Sequence, residues 1–339
     1  MSGKPSTGVL LVNLGTPKDP HKPGVRHYLS EFLMDPRVID VPWMVRFLLV
    51  HAWIVPGRVS RSVAAYQKIW KPQGSPLRIY SEQLKQSVSE RLGSDYQVEL
   101  GMRYGDPCLR QALKRLSVCD RLMILPLFPQ YASAVTGSVV AFCLSELSKQ
   151  THIPSLNVYT SFYEDPGFIK AYASLIQKKQ EEHPADFVLF SYHGLTMRQL
   201  AQSCTPMCAH EKTCPITERA TQCYRAQCYK TTFKIAEALH LDTNQYATAF
   251  QSRLGRLPWI KPYSDQFLGE LIARGITNLM VVCPSFVCDC LETLEEVSLR
   301  MRAQWQACGG ARFTLVPCLN TTPDWIDVLV GWVRTATFS

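Results

Sequence analysis

Three carboxylates in the stretch 279–296 have a spacing that could carry chemistry. Asp289, Glu292 and Glu296 lie at positions i, i+3 and i+7, which predicts one face of a helix beginning near Asp289. The apolar run 279–282 predicts a buried strand before them, so these acids follow a strand's carboxyl end, where open α/β sheets bind ligands. Dipole complementation in a first helical turn would not explain Glu296, two turns in. This acidic ridge could hold a hard divalent cation in transit or accept protons.

A histidine is predicted at the same sheet edge. The apolar run 186–191 predicts a buried strand that leads into Tyr192, His193 and Gly194. A single His at a strand end is as often structural as functional. Because His193 and the acidic ridge both follow parallel strands of one predicted sheet, we expect them to converge on one cleft.

The elements that must position these groups alternate along the chain. Amphipathic helical patterns separate the apolar runs, which predicts an α/β fold with parallel sheets and helices on both faces. The second half repeats the first in architecture, so we expect two domains of similar architecture, 1–165 and 166–321, with a terminal helix in 322–339 joining the first. The predicted strands are 8–14, 97–103, 121–127, 186–191, 245–250 and 279–282.

Composition narrows the class of protein. The chain has 339 residues, 46% hydrophobic and 19% charged, as expected of about two globular domains. The net charge is +8, but Lys and Arg are dispersed, so we expect no nucleic-acid partner. The start of the chain has too short an apolar run for a secretory signal, which favours a cytoplasmic location. No glycine-rich GxGxxG loop follows the first strand, which disfavours a nucleotide-dependent oxidoreductase.

Residues 41–55 form an unusually apolar helical segment that contains two Trp. A core helix is the simpler interpretation. An exposed lip for a flat apolar ligand or for a membrane surface is the alternative. Directly after it, Arg58 and Arg61 are three residues apart on one predicted helical face and could grip carboxylates.

Thirteen Cys are many for a reducing compartment, and five of them lie between Cys204 and Cys228. Four have the spacing C-x3-C-x5-C-x8-C, and four thiols in one loop suit a tetrahedral zinc or a two-iron two-sulfur cluster. We predict Cys228 as a possible substitute ligand. The predicted set is Cys204, Cys208, Cys214 and Cys223.

Six ordered motifs over nearly the whole chain resemble ferrochelatases. This resemblance implies two Rossmann-like domains of the class II chelatase fold. It also implies a lyase that inserts ferrous iron into a porphyrin without a nucleotide. The motifs are GSPL at 74–77, MRYGDP at 102–107, LPLFPQYASAVTGS at 125–138, FSYHG at 190–194, FQSRLGRLPW at 250–259 and CPSFVCDCLETLEE at 283–296.

The resemblance also assigns residues. His193 matches the family's active-site His and Glu292 its essential acid, both expected to meet the substrate iron, while Asp289 and Glu296 continue the acidic path. Trp259 matches an aromatic residue near the porphyrin ring. Two groups of residues are further implied to contact the porphyrin: Arg103 and Tyr104 in the opposite wall of the pocket, and Arg58, Arg61, Tyr66 and Ser75 around the ring edge and its propionates.

Two departures refine the expected function. Some relatives that use coproporphyrin carry a Tyr just after the first strand, whereas this chain has VNLGTP there, which favours protoporphyrin IX. The Cys-rich loop is extra or altered sequence. Some ferrochelatases, including bacterial ones, carry a two-iron two-sulfur cluster, so the resemblance favours that cluster over zinc.

Several alternatives remain open from the sequence. They are a chelatase for another metal or for coproporphyrin, and a non-catalytic tetrapyrrole or metal carrier. We expect a monomer or homodimer, and peripheral contact with the inner membrane is a further expectation.

Overall fold

The computed structural model describes residues 6–201, 222–253, 255 and 257–338. The chain divides into two compact units. The first unit comprises Met1–Phe128, Ala132–Ser161 and Asn320–Ser339, and the second comprises Pro129–Tyr131 and Phe162–Leu319.

The first unit is built on strand β1 (Thr7–Thr16). Residues 9–12 are completely buried, as a continuous apolar run in a parallel sheet requires. The elements that follow within this unit are α1 (Lys22–Leu33), α2 (Trp43–Leu48), the π-helix π1 (Leu49–Ile54), α3 (Val55–Ile69), α4 (Pro76–Leu92), β2 (Tyr96–Gly105), α5 (Leu109–Leu116), β3 (Arg121–Pro126), the π-helix π2 (Ser133–Gly137), α6 (Ser138–Leu147) and β4 (Ser155–Val158).

The sheet of this unit is parallel, with strand order β2-β1-β3-β4. Helices α5 and α6 pack on β1 and β3 through a core that includes Leu10, Leu113, Ile124, Val139 and Leu147. The strand order reverses direction beside β1, so the carboxyl ends of β1 and β3 form a topological switch point.

The second unit has the same architecture. Its elements are α7 (Pro166–Glu182), β5 (Phe187–His193), α8 (Met197–Ala201), α9 (Tyr224–Ala238), β6 (Tyr246–Gln251), α10 (Ser264–Ala273), β7 (Asn278–Val282), the π-helix π3 (Glu292–Met301), α11 (Arg302–Ala307) and β8 (Arg312–Leu315).

Its parallel sheet has the order β6-β5-β7-β8. Leu268 of α10, Val297 of π3 and Trp305 of α11 pack on the sheet residues Leu189 and Val281. The switch point lies between β5 and β7. His193 therefore ends one of the two strands that form the switch point, and the acidic ridge follows the other, so the prediction of an α/β fold with parallel sheets is confirmed.

The last helix, α12 (Pro323–Thr335), belongs to the first unit. Trp325 and Leu329 are completely buried. Trp332 stacks on Tyr159 with ring centroids 4.5 Å apart, and Asp327 pairs with Arg91 of α4.

Two short strands were not predicted from the sequence. Each of β4 and β8 has four residues and lies at the edge of its sheet, and β4 has no fully buried residue. Edge strands this short carry little of the apolar signal that identifies a buried strand.

The interpretation of residues 41–55 as a core helix is wrong. The segment is helical, passing from α2 through π1 into α3, but most of its large apolar side chains face solvent. Its one Arg, Arg46, is buried and donates to the carbonyls of Ile39 and Val41. The exposed large apolar residues of this segment are Trp43, Met44, Val45, Phe47, Leu48, Leu49 and Trp53.

Candidate functional site

The backbone of His193 is fixed where β5 ends. Its N–H donates to Ser285 Oγ at 3.0 Å, and its carbonyl accepts from Tyr224 Oη at 2.7 Å. The strand register pairs His193 with Gln251 of β6. The neighbouring strand, a helix and the loop after β7 therefore all hold this one residue.

The ring of His193 has a defined tautomer in this geometry. Nδ1 lies 2.7 Å from the carbonyl oxygen of Gly194. A carbonyl can only accept, so Nδ1 carries the proton of the neutral ring. Nε2 then carries the lone pair, and Phe286 meets the ring edge-on with centroids 6.3 Å apart.

Trp259 lies beside Gly194, the residue that follows the histidine. A Cβ added to Gly194 would be 3.3 Å from Trp259 Cε3 and 2.9 Å from the carbonyl oxygen of Gln251. The Trp259 backbone forms a bridge with Thr196. A glycine after His193 is therefore what allows the indole and strand β6 to approach this closely.

The helix of the acidic ridge differs from its prediction. It begins at Leu291 rather than Asp289, and from Glu292 it is a π-helix with wider i→i+5 turns. Gln251 Nε2 donates to the carbonyl of Glu292 at 3.1 Å, which joins the start of the helix to the end of β6.

Glu296 has a pKa raised above its usual value. Burial raises its pKa, as does the charge of Glu292, and these effects are opposed by Ser252, His193 and Arg300. Ser252 Oγ donates to one carboxylate oxygen, and Arg300 Nη2 lies 3.2 Å from the other. Glu296 thus interacts electrostatically with both Glu292 and His193, which brings three of the four predicted catalytic residues together.

Asp289 lies before the helix and is almost completely buried. Its Oδ1 accepts from Thr293 Oγ1 at 3.0 Å and from the backbone N–H of Cys318 at 3.3 Å. Asp289 therefore ties the start of the helix to the segment after β8. The predicted face on which Asp289, Glu292 and Glu296 stack as one helical row is wrong, because Asp289 is not in the helix.

In the first unit, Arg103 and Tyr104 belong to a hydrogen-bonded network around Asp35. Asp35 Oδ2 accepts from Arg103 Nη2 at 2.7 Å, from Tyr104 Oη at 2.9 Å and from Ser138 Oγ at 2.6 Å. Arg103 Nε also donates to Ser138 Oγ at 2.8 Å, and its guanidinium lies over the rings of Tyr104 and Phe142. Burial, with the Asp35 charge second, raises the pKa of Tyr104.

The other predicted porphyrin contacts lie on or near α3. Arg58 is half-buried and Arg61 is exposed, both on this helix. Tyr66 is buried, with its ring 6.1 Å from that of Trp70. Ser75 is buried and caps α4, since its Oγ accepts from the backbone N–H of Arg78 at 3.3 Å.

One of the four predicted cluster ligands, Cys223, lies within the described residues. Cys204, Cys208 and Cys214 lie outside the described residues. Cys223 is buried at the N-terminus of α9, and Cys228 is completely buried within that helix. Among the residues that are described, no three His, Cys, Asp or Glu side chains form a group that could hold a metal ion.

Sequence reasoning missed several residues around these sites. Gln251 ends β6 and Ser252 directly follows it, so their position at a strand end could have identified them. Arg300 lies four residues after Glu296 in the same helix, a spacing that could have identified it. Asp35 has no such signal, because it acts on residues that lie far from it along the chain. Asp35 is 68 positions from Arg103.

Comparisons with known proteins agree with this architecture. The ferrochelatase family profile matches residues 6–337. A ferrochelatase of Coxiella burnetii (strain CbuK_Q154) is 49% identical over 332 residues, covering 96% of this chain and 93% of that protein. A ferrochelatase of Legionella pneumophila (strain Lens) is 48% identical over 330 residues, covering 96% of this chain and 98% of that protein.

A solved structure gives the same fold. SirB from Bacillus subtilis with Fe3+ aligns with a TM-score of 0.55 at 11% identity, covering 97% of this chain and 94% of that chain. At this identity the likeness concerns the fold alone. The family is shown by the profile and by the similar ferrochelatases over nearly the whole length. This chain therefore belongs to the ferrochelatase family.

Proposed function

We propose that this protein is a ferrochelatase, a lyase that inserts ferrous iron into protoporphyrin IX to form protohaem. The observation that carries this proposal is the convergence of His193, Glu292 and Glu296 at the switch point of the second unit. Family membership supports the same activity. Ferrous iron is a substrate here and not a resident cofactor.

Metal insertion must remove two protons from pyrrole nitrogens, so the site needs bases. His193 offers Nε2, because its Nδ1 proton is held by the Gly194 carbonyl. An imidazole exchanges protons near neutral pH, which suits a general base. Glu296 can receive protons in turn, since burial raises its pKa and keeps the protonated form accessible.

The carboxylates also suit the metal. Oxygen ligands bind hard divalent cations, and imidazole is a common ligand of iron. Glu292 and His193 are the proposed ligands of the iron in transit, with Glu296 further along the path. Asp289 is proposed as part of the catalytic set through its hold on the start of π3, since its carboxylate bonds Thr293 of this helix.

The porphyrin contacts are proposals of the same kind. Trp259 lies against Gly194 and offers a rigid aromatic surface beside His193. Arg61 is exposed and, within the described residues, has no ion-pair partner, so it is available for a propionate. Arg103 is neutralised by Asp35 and is better suited to donate hydrogen bonds than to bind an anion. The remaining proposed contacts are Arg58, Tyr66, Ser75 and Tyr104.

The test is metallation of protoporphyrin IX by the purified protein with each divalent metal, followed by loss of free-porphyrin fluorescence. Iron should be inserted by the parent protein, and His193→Ala and Glu292→Gln should each abolish turnover while the fold is retained. Coproporphyrin as the better substrate, or another metal as the preferred one, would revise the specificity. Tight porphyrin binding without turnover would identify a carrier.

Peripheral membrane contact is a second part of the proposal. Helix α2 and π1 expose a contiguous apolar face, and patches of this kind mark interaction sites. Trp43, Phe47 and His51 stack along this face, with successive centroids 5.4 and 4.6 Å apart. In the described part of the chain, no helix has both the length and the apolar character needed to cross a bilayer.

The Cys-rich segment is proposed to hold a two-iron two-sulfur cluster. Cys223 fits such a role because it occupies the N-cap position of α9, and helix N-termini favour thiolates. Burial raises the pKa of Cys228, which makes Cys228 a poorer ligand than Cys223. The cluster would cross-link the segment, since metal insertion needs no redox step. Its ligands would be Cys204, Cys208, Cys214 and Cys223.

The protein should then be reddish-brown, with iron and acid-labile sulfide and visible absorption that bleaches on reduction. Each Cys→Ser change in the set should reduce this absorption and lower the melting temperature. A colourless anaerobic preparation with one zinc per chain would decide for zinc. A preparation without any bound metal would rule out both the iron-sulfur cluster and zinc.

A further inference from the structure

Arg300 bridges two acids at the outer side of the acidic ridge. Its Nε lies 2.8 Å from Glu295 Oε2, and its Nη2 lies 3.2 Å from Glu296 Oε1. The Arg300 side chain is 60% exposed, whereas that of Glu295 is 5% exposed. The buried Glu295 thus anchors the Arg300 guanidinium, which also reaches the carboxylate of Glu296.

Both oxygens of Glu296 are engaged in this arrangement. Ser252 donates to one of them, and Arg300 meets the other. A divalent metal that binds Glu296 competes with the positive charge of Arg300 for this carboxylate, since two cations beside one carboxylate repel each other. Arg300 is the partner in contact with solvent, and exposed ion pairs are weak, so it gives way at lower cost than the half-buried Ser252.

We propose that Arg300 is a displaceable counter-ion that sets how tightly the acidic ridge holds a divalent metal. When a metal binds Glu296, Nη2 is released while Nε stays on Glu295, so a positive charge remains beside the metal and weakens its binding. A path that passes ions on needs binding sites that are weak enough to leave. This inference rests on the proposed function, in which the metal is the iron to be inserted.

The first measurement is binding of Mn2+ alone, followed by the electron paramagnetic resonance signal of the free ion. Mn2+ prefers oxygen ligands, so it reports on carboxylates rather than on thiols. Arg300→Gln should bind Mn2+ roughly two- to fivefold more tightly than the parent, as expected from loss of an exposed ion pair.

Arg302→Gln is the matched control. Arg302 is two residues away, but its Nε donates to the carbonyl of Ser298 and its guanidinium lies over Phe313. Its removal changes the net charge by the same amount without touching Glu296. The Mn2+ affinity of Arg302→Gln should equal that of the parent.

A double-mutant cycle assigns the effect to Glu296. In a Glu296→Gln background, the further change Arg300→Gln should leave Mn2+ affinity unchanged, because the coupled pair is already broken. Arg300→Lys, which keeps the charge, should restore most of the parent's weaker binding. Equal Mn2+ affinities of Arg300→Gln and the parent, or the same gain without Glu296, would overturn the proposal.

Kinetics connect the counter-ion to the reaction. Arg300→Gln should lower KM for ferrous iron and leave KM for protoporphyrin IX unchanged. An unchanged iron KM would contradict the counter-ion role. A parent protein that metallates no porphyrin would instead reject the proposed function, while the Mn2+ cycle would still measure what Arg300 does.

Discussion

At this site, backbone groups as well as side chains determine the tautomer and the packing of single residues. The Gly194 carbonyl determines which nitrogen of His193 carries the proton, and Gly194 itself is required by the approach of Trp259. A larger residue after His193 would therefore push against the indole of Trp259 and against strand β6.

Asp35 is the residue whose loss should cost the first unit most. Asp35→Ala leaves the largely buried guanidinium of Arg103 without its carboxylate and removes the carboxylate that accepts from Tyr104 Oη. Removing one partner of a buried ion pair costs about 3–5 kcal/mol. We expect a loss of this size in the free energy of unfolding, measured with urea.

Ser138→Ala is the control for this change. It removes a neutral hydroxyl from the same network and keeps the ion pair of Asp35 with Arg103, so it should cost about 1 kcal/mol. Equal losses of unfolding free energy in the two variants would mean that the charge of Asp35 adds no more stability than a neutral hydrogen bond.

At the scale of elements, π turns replace α turns in parts of two predicted helices. An apolar spacing of three and four residues predicts an α-helix, yet 292–301 and 49–54 have π turns. The change from α to π turns moves side chains around the axis without altering the local pattern of residue types. The faces presented by π1 and π3 were therefore not predictable from periodicity.

The exposed apolar face of α2 and π1 should mediate vesicle binding. Leu48 and Trp53 are 61% and 80% exposed, and each buried side chain of this size gains about 1.5–3 kcal/mol. The double change Leu48→Ser and Trp53→Ser should weaken binding to anionic lipid vesicles at least roughly tenfold. Flotation of the vesicles on a density gradient measures this.

Phe233→Ser provides the comparison, because Phe233 is also exposed but lies on α9 of the second unit. Its removal should leave vesicle binding unchanged. A parent protein that binds no vesicles, or equal losses for both variants, would refute the role of the α2–π1 face.

For the whole molecule, the two halves of the chain repeat one strand order, and each order has one switch point. The first unit is completed only by the last helix. Five side chains of α12 are buried in it, and at about 1.5–3 kcal/mol each their loss is comparable to the whole stability of a domain. They are Trp325, Ile326, Leu329, Val330 and Val333.

A chain that ends after Leu319 should therefore not form a folded first unit. Limited proteolysis should degrade residues 6–161 while leaving fragments of the second unit. A chain that ends after Thr335 keeps α12. It loses the bond from Asn157 Nδ2 to the Thr337 carbonyl and the contact of Arg121 with the Phe338 ring, both peripheral to the buried face of α12, so it should resist proteolysis as the full chain does. Equal resistance of the shorter chain would show that α12 is dispensable.

The sequence by itself determined the fold class and placed His193 and the acids of the second unit at or after strand ends. Continuous apolar runs specify buried parallel strands because such strands are covered on both faces. A strand end fixes the position of the next residue, so His193 could be assigned to its sheet edge from the pattern alone. The same rule predicted the position of the acids after their strand. The motifs that resemble ferrochelatases predicted the activity.

Tertiary structure alone decided which of these groups meet and what surrounds them. The contact of Arg103 with Asp35 and that of Ser252 with Glu296 join residues 68 and 44 positions apart. The burial of Asp289 and the exposure of Trp53 likewise depend on distant elements. Local sequence sets backbone preferences over a few residues, whereas burial, pairing and pKa depend on groups that only the folded chain brings together.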